Sequence, residues 1–142
     1  MKKMRGERRS KKNMIIIDAN AILRYILCDN EDMANHVEEL LEHNVVCIKH
    51  EVLAEVVYVL TRVYSLPRVE VQSVVMQFLE LDNVVTDERA VVARAMESFC
   101  ADGLDFVDSM LYAYCVIKNA EIFTFDKKLL SKVRNFKNGN AQ

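Results

Sequence analysis

The chain has 142 residues, 51% of them hydrophobic and 28% charged, with a formal net charge of −2. That length fits one compact domain, and that apolar content supplies a core and excludes disorder over most of the chain; no run is long and apolar enough to span a bilayer. The charge is uneven, because residues 1–13 hold seven Lys and Arg against Glu7 alone, which makes that stretch +6 and the remainder −8. An acidic body excludes a broad electrostatic surface for duplex DNA, so a nucleic-acid partner needs a local basic patch or a metal.

Residues 1–13 read as a basic, disordered extension ahead of a single domain over 14–142. They lack the apolar stretch of a secretory leader, which points to a cytoplasmic protein. Met14 directly precedes the first strand and offers an alternative translation start. Met14-Ile15-Ile16-Ile17 is β-branched and apolar at every position, as expected of a central parallel strand buried on both faces. Residues 20–28 and 31–43 have helical spacing, the second with Val37, Leu40 and Leu41 on one side and Glu38, Glu39 and Glu42 on the other. Val45-Val46-Cys47-Ile48 is a second buried strand.

A long helix follows over 50–64, with Leu53, Val56, Val57 and Leu60 as its core stripe. Leu66-Pro67 opens the next helix, since proline suits a first helical turn. Asn83-Val84-Val85-Thr86 is a third strand, and Asp87 reads as the cap of a helix running to about Cys100. Asp102-Gly103 ends that helix, another spans Asp105 to Asn119, Glu121 to Phe125 forms a fourth strand, and Asp126 caps a last short helix. Strands alternating with helices predict an α/β fold, a three-layer α/β/α sandwich around a central parallel sheet of four or five strands. Cys28, Cys47, Cys100 and Cys115 lack the paired spacing of a zinc or redox site and read as reduced core residues. His36, His43 and His50 show no ligand pattern and read as surface or helix-end residues.

The acidic residues carry the chemistry. Ligands of open parallel sheets bind beyond the carboxyl ends of the strands, and Asp18 ends the first strand while Asp126 follows the fourth. Each can equally serve as a helix N-cap. Glu55 lies in Val52-Leu53-Ala54-Glu55-Val56-Val57-Tyr58-Val59-Leu60, where an unpaired buried carboxylate costs several kcal/mol; the alternative is a surface stripe shared with Glu51, Tyr58 and Arg62. Asp105 and Asp108, three apart, share one face of their helix, Asp105 as a candidate cap and Asp108 in the first turn, where the helix dipole favours an anion. Acids converging on one edge repel until a divalent cation sits among them, and carboxylate oxygens suit Mg2+ or Mn2+. A bound ion can activate a water against a phosphodiester, which needs neither a histidine nor a cysteine nucleophile.

The order Met-Ile-Ile-Ile-Asp18-Ala-Asn20, Glu55 in Val-Leu-Ala-Glu-Val-Val-Tyr-Val-Leu, Asp105-Phe-Val-Asp108 and Thr124-Phe125-Asp126-Lys127 resembles the PIN domain, particularly the VapC-type toxins of toxin–antitoxin pairs, over about residues 14–134. The resemblance implies that Asp18, Glu55, Asp108 and Asp126 form an acidic quartet around Mg2+ or Mn2+, with Asp105 a supporting acid and Asn20 a small polar partner of Asp18. It further implies a ribonuclease, a homodimer, and an antitoxin protein as inhibitor. A PIN nuclease of RNA processing and a non-catalytic RNA- or protein-binding module are the alternatives. A haloacid-dehalogenase-like phosphatase needs a second Asp where Asn20 stands, and a phosphorelay receiver domain does not place an acid such as Glu55 in mid-helix.

Overall fold

The computed structural model describes residues 14–140. The basic stretch 1–13 lies outside the described residues. The chain divides into two compact units, one made of the segments up to Val56 and Gln77–Asp87, the other of Val57–Met76 and the chain from Glu88 onward.

The first unit is built on a sheet. Strands β1 (Met14–Ile16), β2 (Val45–Cys47) and β3 (Val84–Val85) are parallel and lie in the order β1-β2-β3. Met14 pairs with Val45, Ile15 with Val46 and Ile16 with Cys47, and the ladder continues from Val46 to Val84 and from Cys47 to Val85. Parallel neighbours need crossover connections. Helices α1 (Ala19–Leu27) and α2 (Glu31–His43) fill the first crossover and pack on each other, and α3 (His50–Tyr58) leaves the end of β2. The α/β class is as the sequence predicts.

Two details of the sheet differ from the sequence reading. The central strand is β2, whose Val46 and Cys47 are buried with the following Ile48, whereas β1 is an edge strand with Met14 and Ile16 each 62% exposed. An apolar run fits either a covered central strand or a half-covered edge, and only its neighbours decide which. The sheet also has three strands among the described residues where four or five are expected, because 121–125 joins no ladder. That segment does alternate, Ile122 and Thr124 half-buried and Glu121, Phe123 and Phe125 exposed, but alternation makes a strand only when a neighbour supplies the hydrogen bonds.

Side chains pin the strand ends. Asn83 Nδ2 donates to the Leu41 carbonyl at 2.8 Å and Thr86 Oγ1 to the Ile48 carbonyl at 2.8 Å. The Tyr25 and Phe78 rings meet edge to face at 5.6 Å, joining α1 to the last turn of α4 (Arg68–Leu79). Helix α3 does not run unbroken to residue 64. It passes into a π-helical stretch, Val59–Val63, in which the Tyr64 amide reaches back five residues to the Val59 carbonyl at 3.1 Å.

The second unit is helical, with α5 (Arg89–Asp102) packed on α6 (Phe106–Lys118) and α6 on α7 (Lys127–Asn140). The residue before α5 is Glu88, in the left-handed region and with no capping side-chain bond, so Asp87 is not that helix's cap. Asp87 instead lies 3.8 Å from Lys49 and its carbonyl bonds His50 Nε2. The far end of α5 is closed by Gly103 at φ +69, the left-handed position that glycine takes without steric cost. Arg68 completes that end: Nη1 donates to the Phe99 and Leu104 carbonyls at 2.7 and 2.6 Å, and the guanidinium lies over the Phe99 ring.

Leu104, Tyr112, Cys115, Leu129 and Val133 form the buried core that holds α6 to α7. Helix α7 is a full-length helix of 14 residues, longer than the sequence reading gives it. Cys47 and Cys115 are buried as expected, but Cys28 is exposed and Cys100 half-buried, so those two are not core residues. All four are free thiols.

Candidate active site

Asp18 follows the end of β1 by two residues and occupies the N-cap of α1. Its backbone is extended (φ −95, ψ 173) and its Oδ1 accepts from the Ala21 amide at 2.9 Å. That bond satisfies one of the donors left open at a helix start. A carboxylate has about four acceptor sites, so capping leaves capacity for another ligand. Asp18 and Asn20 are both exposed, and both line an open cleft of about 370 Å³ shared with Arg24 and His36. Arg24 is ion-paired with Asp29 at 2.6 Å, which offsets its charge at that cleft.

Glu55 belongs to the same unit and is exposed. Glu55 is therefore not a buried carboxylate that needs a compensating partner. Leu53, Val56, Val57 and Leu60 make the buried face, while Glu51, Glu55, Tyr58 and Arg62 are all exposed, as the surface-stripe alternative has it. The helix has a wider polar side than its composition suggests because its apolar residues crowd onto one stripe.

The other acids lie in the second unit. Asp105 sits at the N-cap position of α6 with extended backbone, but its side chain makes no capping bond; only its carbonyl accepts, from the Ser109 amide at 2.8 Å. Asp126 is a true cap of α7, with Oδ1 accepting from the Leu129 amide at 2.8 Å, and its own amide donates to Thr124 Oγ1 at 3.0 Å. Asp108 is half-buried in the first turn of α6. Burial pushes its carboxyl above the ordinary range, and the charges of Asp126 and then Asp105 push it further. Those effects outweigh the stabilisation an anion receives at a helix start.

The structure thus brings Asp105 and Asp126 within electrostatic reach of Asp108. None of the three has an ion pair among the described residues, whereas nearby Asp102 is matched by Lys132 at 2.8 Å. Among the described residues no set of three or more His, Cys, Asp or Glu side chains meets the geometry of a metal site. The donor chemistry nonetheless suits a hard divalent cation, since crowded carboxylates with no cationic partner are what such an ion neutralises.

One feature of this unit escapes a reading centred on acids. Helix α7 carries Lys127, Lys128, Lys132, Arg134 and Lys137 and no Asp or Glu. A charge count over that segment alone would have found a local basic surface inside an otherwise acidic body.

The PIN domain family model matches residues 15–135, most of the chain and parts of both units. PIN domains are in general nucleases that use divalent metal ions, so the fold is of a nuclease type, a hydrolase class. This chain belongs to the PIN domain family. No curated protein and no solved structure matches it. Among the described residues no helix is long and apolar enough to cross a membrane.

Proposed function

We propose that the chain is a divalent-metal-dependent endoribonuclease, the toxin of a type II toxin–antitoxin pair. Asp18, Glu55, Asp108 and Asp126 hold Mg2+ or Mn2+, with Asp105 as a supporting acid and Asn20 beside Asp18. The observation that carries the reading, given membership of a nuclease family, is the crowding of Asp105 and Asp126 against Asp108, whose carboxyl resists ionisation in their presence. When bound, the ion supplies an activated water and offsets charge on the leaving oxygen. The chain's own part is to present unprotonated carboxylates, two of them already oriented by their capping bonds. A cytoplasmic setting, a homodimer and an inhibitory antitoxin belong to the toxin reading.

Incubation of the purified chain with mixed RNA tests this. Cleavage in Mg2+ or Mn2+ is expected, lost in EDTA and reduced about a hundredfold or more by Asp18→Asn or Asp108→Asn. RNA binding without cleavage in any metal would show a binding module instead. Growth arrest on expression, relieved by a co-expressed neighbouring reading frame, separates a toxin from an RNA-processing nuclease.

A further inference from the structure

Helices α1 and α2 pack on each other, and residues of both line the open cleft of about 370 Å³ that Asp18 borders. Every residue lining it belongs to the first unit. Helix α2 supplies Met33, His36, Val37 and Leu40, whose spacing puts them on one helical face. Val37 is buried and Met33 is 45% exposed, so apolar surface runs from the floor of that wall to its rim. Helix α1 supplies the polar side, with Asn20 and Arg24 one turn apart beyond the Asp18 cap.

Two features select the occupant. Arg24 is half-buried, and its Nη1 donates to Asp29 at 2.6 Å. That ion pair offsets the charge and fixes the guanidinium, so Arg24 brings to the cleft a planar set of N–H donors more than a net charge. Such a fork matches the O6 and N7 acceptors of guanine, the pairing arginine makes most often with a base edge. Asp18 is the second feature, because a base held beside a candidate metal ligand belongs to a nucleotide next to the phosphate under attack. The imidazole of His36 and the soft thioether of Met33 are surfaces on which an unstacked base packs. The volume suits one small group, whereas a docked helix or strand occupies a longer groove.

We propose that the cleft between α1 and α2 receives one unpaired guanine of the RNA substrate, read by Arg24 and packed against Met33 and His36. The proposal rests on the ribonuclease reading and deepens it: carboxylates and a metal act on any phosphodiester, and the cleft adds a base preference.

The test uses the full chain and uridine octamers in which one central base is guanine, adenine, cytosine or uracil. Binding is followed by anisotropy in EDTA and cleavage in Mg2+. The guanine octamer should bind about tenfold more tightly than the others. Arg24→Lys keeps a charge beside Asp29 without the planar fork, so it should bring the octamers to within about twofold of one another and retain affinity for the all-uridine one. Met33→Ala combined with His36→Ala, both at exposed positions, should also erase the preference. Unchanged melting temperatures show that the variants fold. In Mg2+ the cut should fall at one fixed step from the guanine. Octamers bound alike by the wild type, or a guanine preference that survives these substitutions, overturn the proposal. Substitutions that leave RNA binding unchanged but release the product of a co-expressed neighbouring reading frame assign the cleft to a protein partner and likewise overturn it. Guanine-dependent binding that Arg24→Lys erases, with no cleavage in any metal, leaves the cleft standing and removes only the nuclease reading. Metal-dependent cleavage indifferent to the central base does the reverse.

Discussion

The carboxyl of Asp108, half-buried in the first turn of α6, is raised by that burial and then by the negative charge of Asp126 at the start of α7. Two helix starts, each favourable to one anion, are close enough for their anions to oppose each other. The metal-free protein therefore holds an electrostatic penalty that appears as Asp108 ionises.

The sign of the pH dependence follows. A carboxyl whose folded pKa lies above its unfolded value contributes stability that is complete below the unfolded pKa and is lost as pH rises through the folded one. In EDTA, Asp108→Asn should raise the melting temperature at neutral pH, and the gain should shrink toward about pH 4. Added Mg2+ should stabilise the wild type at neutral pH and the variant less. Scanning fluorimetry across pH checks both; an equal increment at every pH would show that charge crowding is not the cause.

Capping and metal binding can be separated at Asp18 and Asp126. Asparagine caps a helix about as well as aspartate, so Asp18→Asn and Asp126→Asn should leave stability nearly unchanged and abolish cleavage. Asp18→Ala and Asp126→Ala should in addition cost about 1 kcal/mol each, read from urea unfolding. Full activity in the asparagine variants would reduce these acids to their capping role.

Exposure of Glu55 makes a similar separation possible. Glu55→Gln should change stability by no more than about 0.5 kcal/mol, as is usual for a surface site. Under the proposed function it should still reduce cleavage by about a hundredfold. Unaltered cleavage rates would place Glu55 in the surface stripe of α3 and nothing more.

Arg68 offers a purely structural contrast. Its removal orphans the Phe99 and Leu104 carbonyls at the end of α5 and strips a cation from the Phe99 ring. Arg68→Met should destabilise the chain by about 2 kcal/mol or more, and Arg68→Lys by less, since lysine keeps the charge without the planar fork. Chemical denaturation of the two variants provides the comparison.

Features legible in the sequence were local ones. The three strands lie where their β-branched runs stand, and the caps at Asp18 and Asp126 formed as read because each bond spans three residues. The helix over 50–64 was legible in extent but not in kind, since its π-helical end depends on backbone registration that side-chain periodicity does not report. Asp105 shows the limit at its simplest: the residue type and position suit a cap, yet the side chain makes no such bond.

By itself, the sequence determined the order of acidic motifs, the α/β succession and the family to which they belong, because each depends on residues near one another along the chain. Tertiary structure alone decided that β2 and not β1 is central, that 121–125 is no strand, that Glu55 faces water, and that Asp108 is crowded by Asp126. A ladder partner, a covering layer or an opposing charge comes from segments tens of residues away, and no local pattern records which of them will arrive.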